Sequence, residues 1–192
     1  IGTVMLRIIS GERKGHIIKT VAGNRTRPTT DKVKESLFNI LQSKLPGAYV
    51  LDLFSGTGNL GLESLSRGAE HAVFVEKNQA ALPVLHENCH VLGYDEYIDI
   101  LPYDVKRATT FLSEKNHDFD LVFMDPPYNR GLEVPTIQAL DEGNLVKDTG
   151  IIVVEHLLLD ELPQYTGNFS KYDLRKYGNT AISFYRKETC PQ

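Results

Sequence analysis

The chain has 192 residues, of which 41% are hydrophobic and 24% charged, and its formal net charge is −4. This composition is typical of one globular domain, with or without a small appendage, and it excludes wholesale disorder. No apolar run approaches the ~18–20 residues that a membrane-spanning helix needs, and no signal-peptide pattern is visible. Two cysteines are too few for a disulfide framework or a four-cysteine zinc site, so we expect a reducing, cytoplasmic location.

The first 45 residues predict a basic extension made of a hairpin and a helix. Residues 5–21 alternate loosely in hydrophobicity around a Ser-Gly turn, residues 22–30 have loop composition, and Asp31 can cap a helix that runs to about Lys44. Residues 1–35 hold eight basic and three acidic side chains, a net charge of +5, whereas the rest of the chain carries −9. A basic arm on an acidic body indicates an anionic partner such as a nucleic acid, although a solvated surface strand fits the charge alone equally well.

From residue 46 onward, short apolar runs alternate with helical stretches. Continuous apolar runs are typical of strands buried on both faces, and their alternation with helices predicts an α/β fold with a mostly parallel sheet. Two further runs flank Gly178-Asn179 and predict an antiparallel hairpin near the C-terminus. The predicted strands are 49–54, 72–75, 98–101, 120–124 and 150–155, and the predicted hairpin is formed by 172–177 and 180–186. One predicted helix follows the first strand and ends at about Arg67. The other predicted helices cover about 80–92, 106–115 and 133–142. Ligands of such sheets bind beyond the carboxyl ends of the strands.

A glycine-rich turn follows the first of these strands. Gly56, Gly58 and Gly61 match the pattern G-x-G-x-x-G, which is typical of dinucleotide sites because glycines let the backbone turn sharply and approach a ligand. Asp52, at the end of the strand, would however repel a pyrophosphate. A carboxylate there suits a ligand that carries an ammonium group, such as the amino-acid end of S-adenosylmethionine.

Carboxylates also follow the next two strands. Glu76 ends the second strand, where it can accept two hydrogen bonds from ribose hydroxyls, a role that NAD enzymes and S-adenosylmethionine enzymes share. Asp104 follows the third strand and can accept from an adenine amino group, with Val105 against the ring. It is equally plausible from the sequence that Asp104 is a solvent-exposed residue of a surface loop without a ligand.

Asp125-Pro126-Pro127-Tyr128 directly follows the fourth predicted strand. Two consecutive prolines remove two backbone donors and fix two φ angles, so the turn is stiff and presents only acceptors beside an aromatic ring. A planar base with an exocyclic amine fits this arrangement, because its amine offers two N–H donors and its face can stack on the ring. A rigid surface turn is the other interpretation of the same residues.

At this corner and at the glycine turn, the chain resembles the amino-methyltransferases that use S-adenosylmethionine, and it is similar to the RsmD-like family over most of residues 5–187. The segments that carry this resemblance are Arg7-Ile-Ile-Ser-Gly, Arg27-Pro-Thr, Val33-Lys-Glu-Ser-Leu-Phe-Asn-Ile-Leu41 and Gly61-Leu-Glu-Ser-Leu-Ser-Arg-Gly-Ala69. The resemblance implies a Rossmann-like class I methyltransferase fold: a mostly parallel seven-stranded sheet, an antiparallel C-terminal hairpin and a small N-terminal extension of a β-hairpin and a helix. We accordingly expect an RNA-facing extension at 1–45 and a methyltransferase domain at 46–192.

The resemblance also implies an activity, methyl transfer from S-adenosylmethionine to the N2 amine of a guanine in 16S ribosomal RNA. The expected partner is ribosomal RNA within the small subunit or an assembly intermediate. We expect the protein to be a monomer that binds no metal ion and does not associate with a membrane. We expect the acceptor amine at Asp125, Pro126, Pro127 and Tyr128, the cofactor at Asp52, Phe54, Gly56, Gly58, Glu76, Lys77, Asp104 and Val105, and the RNA at Arg7, Arg13, Lys14, Arg25, Arg27 and Thr29.

Three alternatives stay open on the sequence alone. Asp-Pro-Pro-Tyr does not separate guanine N2 from adenine N6, in RNA or in DNA. An NAD-dependent oxidoreductase would use the same glycines, although Asp52 and the corner at Asp125 argue against it. The third alternative is an RNA-binding factor that has a methyltransferase fold but no catalytic activity. The intact Asp125-Pro126-Pro127-Tyr128 segment argues against this loss of activity.

Overall fold

The computed structural model describes residues 5–21 and 30–188. A central sheet carries helices on both faces, and a small hairpin lies at the N-terminal end. The strands are β1 (Leu6–Arg7), β2 (Ile17–Ile18), β3 (Tyr49–Leu53), β4 (His71–Val75), β5 (Ile98–Leu101), β6 (Phe119–Met124), β7 (Val146–Leu157), β8 (Tyr165–Thr166), β9 (Phe169–Tyr177) and β10 (Thr180–Lys187). The helices are α1 (Asp31–Ile40), α2 (Asn59–Ser66), α3 (Ala81–Val91), α4 (Val105–Glu114) and α5 (Glu133–Glu142). In the described ranges, no helix is both long and apolar enough to cross a bilayer.

The central sheet has the strand order β5-β4-β3-β6-β7-β10-β9-β8. The first five strands in this order are parallel, and β10, β9 and β8 add antiparallel pairs at one side. The chain runs outward from β3 to β5 and then returns to place β6 on the other side of β3. The strand order therefore reverses between β3 and β6, and ligands of open α/β sheets bind at the carboxyl edge of such a point.

Alternate side chains along the parallel strands feed two apolar cores, one on each face of the sheet. On one face, sheet residues such as Phe123 pack with α1, α2, α3 and the hairpin, and Leu6, Ile8 and Ile18 are buried there. On the other face, sheet residues such as Val122 pack with α4 and α5. Because residues of the N-terminal hairpin and of α1 are buried in this core, the described parts of the extension pack directly on the sheet. The division into 1–45 and 46–192 stays a prediction.

Helix α1 begins and ends at residues other than those predicted from the sequence. Thr30, in extended conformation, caps α1 because its Oγ1 accepts from the backbone N–H of Val33 at 3.3 Å, so Asp31 is the first helical residue and not the cap. The helix ends at Ile40, and a separate 3-10 turn covers Gln42–Lys44.

The predicted α/β fold with its Rossmann-like sheet is confirmed, with one addition. Each predicted strand is present, and β7 and the C-terminal hairpin are longer than their apolar runs. The two-residue β8 pairs with the start of β9 and makes the sheet eight-stranded rather than seven-stranded. This strand is too short to leave a periodic pattern in the sequence.

Candidate active site

One cavity of about 1660 Å³ opens at the carboxyl edge of the parallel strands. Its wall brings together the ends of four strands: the glycine turn after β3, Glu76 after β4, the loop from Tyr103 after β5 and the corner from Asp125 after β6. The volume exceeds the ~300–1,000 Å³ of an ordinary small-molecule site, so the cavity has room for two ligands side by side.

The glycine turn and the Asp-Pro-Pro-Tyr corner are neighbours. β3 and β6 are parallel and paired, with Leu53 opposite Met124, and both segments begin at the next residue. Paired strands lie about 4.8 Å apart, so the two segments leave the sheet side by side. A group held at one segment can therefore contact a group held at the other.

Asp52 is nearly fully buried, with 3% of its surface exposed, and its Oδ2 accepts a 3.0 Å hydrogen bond from the backbone N–H of Gly61. Burial raises the pKa of this carboxyl to about 7; the negative charge of Glu76 adds to the rise and the Gly61 bond opposes it. A cation bound at Asp52 would favour the ionised form.

The turn between Asp52 and α2 needs unusual backbone angles. Gly58 precedes α2 with a φ of +96°, and Gly56 has a φ of +56°. Phe54 also has a φ of +56°, which is rare and strained for a residue with a side chain. Such strain is concentrated at functional sites. Phe54 and Gly56 line the cavity, whereas Gly58 does not, and its expected contact with the cofactor stays a prediction.

Glu76 holds the glycine turn from the neighbouring strand. Its Oε2 accepts from the backbone N–H of Gly56 and its Oε1 from that of Asn78, each at 2.7 Å. Each carboxylate oxygen has a second acceptor site, so Glu76 can still accept from a ligand. Lys77 is exposed beside it in the cavity wall.

Asp104 has a structural role, as a helix cap, that was not predicted from the sequence. Its Oδ1 accepts from the backbone N–H of Arg107 at 2.8 Å and so caps α4, of which Val105 is the first residue. Both residues line the cavity. The expected contacts of Asp104 and Val105 with an adenine ring stay a prediction.

Asp125 lines the cavity at the end of β6, close enough to the carboxylates of Glu155 and Asp52 to feel their charges. Burial raises its pKa well above the ordinary value, and the charges of Glu155 and Asp52 add to the rise. Glu155 lies on β7, beside β6, where Val154 is the partner of Met124, and only 7% of its surface is exposed. Glu155 was not predicted as a site residue; its only signal in the sequence is that it follows four apolar residues of a strand.

Pro126 is buried, Pro127 exposed and Tyr128 half-buried, and all three line the cavity with Asp125. The corner therefore presents backbone carbonyls, a carboxylate and an aromatic ring in the wall of a single cavity.

A buried charged cluster lies behind the glycine turn and was also missed. Lys34 is fully buried; its ammonium donates to the Arg7 carbonyl, to Asn59 Oδ1 at 2.8 Å and to Glu63 Oε2 at 3.2 Å. Glu63, also fully buried, further accepts from Arg67 Nε at 2.9 Å. Burial lowers the pKa of Lys34, and the Glu63 carboxylate opposes this. The signal in the sequence is a lysine at a core position of α1, three residues before Leu37.

The same cluster fastens the N-terminal segment to α2. The Glu63 carboxylate accepts from the backbone N–H groups of Ile9, at 3.0 and 3.2 Å, and Ser10, at 3.1 Å. The extension, α1 and the start of α2 are therefore joined through one pair of buried charges, Lys34 and Glu63.

The candidate RNA-binding residues are divided between two ends of the molecule. Arg7 pairs with Asp31 at 2.9 Å, and its neighbour Leu6 lines the cavity. The hairpin turn with Arg13 and Lys14 instead packs against the C-terminal ends of α2 and α3, at the opposite edge of the sheet. Arg25, Arg27 and Thr29 lie outside the described residues.

Arg13 is committed to this packing: its Nε donates to the carbonyl of Leu92 at 2.8 Å, and its guanidinium lies over the ring of Tyr94. Lys14 is exposed. Among residues 5–21 and 30–188, no group of three or more His, Cys, Asp or Glu side chains could hold a metal ion.

Comparison with known proteins identifies relatives over almost the whole chain. The family model described as "Conserved hypothetical protein 95" matches residues 6–186. "Putative rRNA methyltransferase YlbH" of Bacillus subtilis is 38% identical over 182 residues, which cover 95% of this chain and 99% of the relative. "Ribosomal RNA small subunit methyltransferase D" of Escherichia coli is 34% identical over 189 residues, which cover 97% and 92%.

Solved structures agree with these relatives. "Putative methyltransferase yhhF" from Escherichia coli superposes with a TM-score of 0.84 at 34% identity and covers 96% of this chain and 99% of its own. A hypothetical protein from Thermus thermophilus superposes with a TM-score of 0.80 at 28% identity, covering 94% and 99%.

Proposed function

The chain belongs to the Conserved hypothetical protein 95 family, the RsmD-like family of the sequence analysis, and on that premise we propose that it transfers a methyl group from S-adenosylmethionine to the N2 amine of a guanine in small-subunit ribosomal RNA. The observation that carries the proposal is the pairing of β3 with β6, because it sets the glycine turn beside the acceptor-only corner in one cavity. A relative that is named a ribosomal RNA small subunit methyltransferase supplies the RNA class.

The polar groups of the cavity fit S-adenosylmethionine. Asp52 is a buried carboxyl that gains from a neighbouring cation, which matches the ammonium of the cofactor. Glu76 offers acceptors to the ribose hydroxyls, and Asp104 and Val105 line the part of the cavity that would take the adenine. The bound cofactor supplies a methyl group that its sulfonium has already activated.

The corner at Asp125 acts on the acceptor amine. An exocyclic amine is a poor nucleophile because its lone pair is delocalised into the ring. The Asp125 carboxylate and the Pro126 carbonyl accept its two N–H groups and direct the lone pair out of the ring plane, while Tyr128 stacks on the base. The new carbon–nitrogen bond replaces the carbon–sulfur bond and leaves a nitrogen cation, whose proton Asp125 accepts. The raised pKa of Asp125 favours this last step.

The target guanine must leave its stack to reach the cavity. Basic side chains at the same edge, among them Arg7, then hold the flanking phosphates, which fixes the register of the RNA without reading its sequence. We propose that the substrate is the small ribosomal subunit or an assembly intermediate, and that the protein acts on it in the cytoplasm as a monomer.

The decisive experiment uses methyl-tritiated S-adenosylmethionine with naked 16S ribosomal RNA and with small subunits from cells that lack this gene. We expect label in ribosomal RNA, recovered as N2-methylguanosine after digestion and mass analysis. Recovery of N6-methyladenosine instead would overturn the guanine assignment. No incorporation into either substrate, together with oxidation of NADH by the same protein, would overturn the enzyme class.

A further inference from the structure

Asn59 is a polar residue of the cavity that the mechanism does not use. It is the first residue of α2, next to the turn that Asp52 and Gly61 close, and it lines the cavity. Its Oδ1 accepts the 2.8 Å hydrogen bond from Lys34, and its amide nitrogen has no hydrogen-bond partner in the part of the chain that the structure describes.

The buried lysine dictates which way this amide points. An ammonium group can only donate, so the Asn59 atom that faces Lys34 must be the oxygen, and the NH₂ group must face away from it. The three N–H groups of Lys34 already match three acceptors, which are the Arg7 carbonyl, Asn59 Oδ1 and Glu63 Oε2. A flipped amide would leave one of these buried donors unpaired. Asn59 therefore presents a fixed N–H donor at the cavity wall.

The charges around Asn59 favour an anion at that donor. The fully buried Glu63 carboxylate lies between Lys34 and Arg67, and the nearby Asp31 is paired with Arg7. The cluster behind Asn59 therefore carries one positive charge more than negative. On the other side of the turn, Asp52 is an acceptor with a negative charge when ionised. The first turn of α2 thus holds two groups of opposite character, the Asn59 N–H donor with positive charge behind it and the Asp52 carboxylate. Together they complement the carboxylate and the ammonium of a zwitterion.

We propose that Asn59 binds the carboxylate of the cofactor's amino-acid end through its side-chain N–H, while Asp52 takes the ammonium. An α-amino acid carries both groups on one carbon, so two opposite partners on one turn suit it. Lys34 is then a positioning residue that fixes the Asn59 amide. This inference rests on the proposed function, and it makes Asn59 a determinant of selectivity for S-adenosyl amino acids over nucleosides that lack the carboxylate.

Two probes separate the carboxylate from the rest of the cofactor. S-adenosylhomocysteine carries the amino-acid end, and 5′-methylthioadenosine does not. The variant Asn59→Asp keeps an oxygen for Lys34 and replaces the N–H donor by a negatively charged acceptor. We expect calorimetry to show at least a tenfold loss of affinity for S-adenosylhomocysteine and less than a twofold change for 5′-methylthioadenosine. Unchanged or tighter binding of S-adenosylhomocysteine would overturn the proposal, and tighter binding would mean that Asn59 faces the ammonium.

Asn78→Asp is the matched control. Its Oδ1 accepts from the backbone N–H of Ala80 at 2.9 Å, which aspartate preserves, and it lines the same cavity beside Glu76. This variant adds the same charge at the ribose side, so both probes should change by the same factor. An equal effect of Asn59→Asp on both probes would overturn the proposal, because the change would then act through the field of the cavity.

Asn59→Ala gives a second measurement should the aspartate variant unfold, which circular dichroism reports. It should lose severalfold affinity for S-adenosylhomocysteine only, and equal losses for both probes would overturn the proposal. If the unaltered protein binds S-adenosylhomocysteine while its variants do not differ from it, the inference fails and the proposed function stands. If the unaltered protein binds neither probe, the proposed cofactor fails as well.

Discussion

The backbone N–H of Gly61 donates to Asp52 Oδ2 over 3.0 Å, at a point where a Cβ on Gly61 would lie 2.3 Å from the ring atom Cε1 of Phe74. Only a glycine lets the first turn of α2 pack this closely against Phe74 of β4 and Asp52 of β3. The result is an acid that is buried before any ligand arrives and whose pKa is about 7. The protein thus tolerates an unfavourable group at the place where we propose that an ammonium binds.

Asp52→Asn should stabilise the free protein at pH 8 and weaken its binding of S-adenosylhomocysteine. The folded state raises the pKa of Asp52 from 3.8 to about 7, so it binds the proton more tightly than the unfolded chain. This group therefore lowers stability progressively as the pH rises from about 4 to about 7, by on the order of a few kcal/mol. Asparagine removes that cost and still accepts from Gly61.

Thermal denaturation at pH 5 and pH 8 measures the first effect. The Asp52→Asn variant should gain melting temperature over the unaltered protein mainly at pH 8. Calorimetry measures the second effect, for which we expect a loss of ~1–3 kcal/mol because a charge-assisted hydrogen bond disappears. An equal gain at both pH values would contradict the raised pKa, and unaltered affinity would remove Asp52 from the cofactor site.

Asp125→Ala should reduce turnover by roughly 10²-fold or more and leave the affinity for S-adenosylhomocysteine within a few-fold, because the side chain contacts the amine and not the cofactor. Asp125→Asn keeps an acceptor oxygen but cannot take the proton. In the unaltered protein, turnover should rise with pH through the raised pKa of Asp125, since only the carboxylate accepts. Asparagine should flatten this rise, and turnover that keeps the same pH profile would contradict the role of Asp125.

The sequence predicts the sheet well because its strands are buried on both faces. Mostly apolar runs such as 120–124 mark these strands, and each run coincides with an observed strand apart from a few residues at the ends. The start of α1 was predicted one residue too late, because Thr30 and Asp31 are both good caps and only the backbone angles separate them. The edge strand β8 has two residues, too few for any periodicity.

The candidate site was predictable as far as its residues follow strands. Glycines and carboxylates at the ends of β3, β4, β5 and β6 indicate one edge, and the structure brings Gly56 and the four carboxylates to one cavity. Lys34, Asn59 and Glu155 were not predicted as site residues. The role of each comes from a contact or charge of a residue distant in sequence, which the local sequence pattern does not reveal. The charge pattern alone predicted RNA contacts for Lys14 in the hairpin turn as well as for Arg7. The hairpin turn instead packs on the C-terminal ends of α2 and α3, at the edge of the sheet opposite the cavity.

Glu63→Ala should destabilise the protein by about 3–5 kcal/mol, because it leaves Lys34 and most of Arg67 buried without their carboxylate and frees the backbone N–H groups of Ile9 and Ser10. Urea denaturation measures this. Glu87→Ala is the comparison: it breaks the Lys19–Glu87 pair, whose side chains are 60% and 49% exposed, and should cost less than about 1 kcal/mol. Similar losses for the two variants would contradict the role of Glu63 as a fastener of the N-terminal segment.

Lys32→Glu should weaken binding of ribosomal RNA more than Lys14→Glu. Both lysines belong to the basic arm and are exposed, and neither makes an ion pair within residues 5–21 and 30–188. Lys32 lies in the first turn of α1, whose Lys34 bonds to Asn59, so it is on the same side of the sheet as the cavity although it does not line the cavity. Lys14 lies at the far edge.

The measurement is the affinity for small-subunit RNA as a function of salt concentration. Loss of one phosphate contact lowers the slope of log K against log salt by about one unit. We expect that change for Lys32→Glu, with a severalfold loss of affinity at low salt, and less than a twofold loss for Lys14→Glu. The reverse order would mean that the RNA runs over the hairpin turn, as the charge of the sequence alone suggested. Equal and negligible effects would place the RNA on a surface that neither lysine reaches.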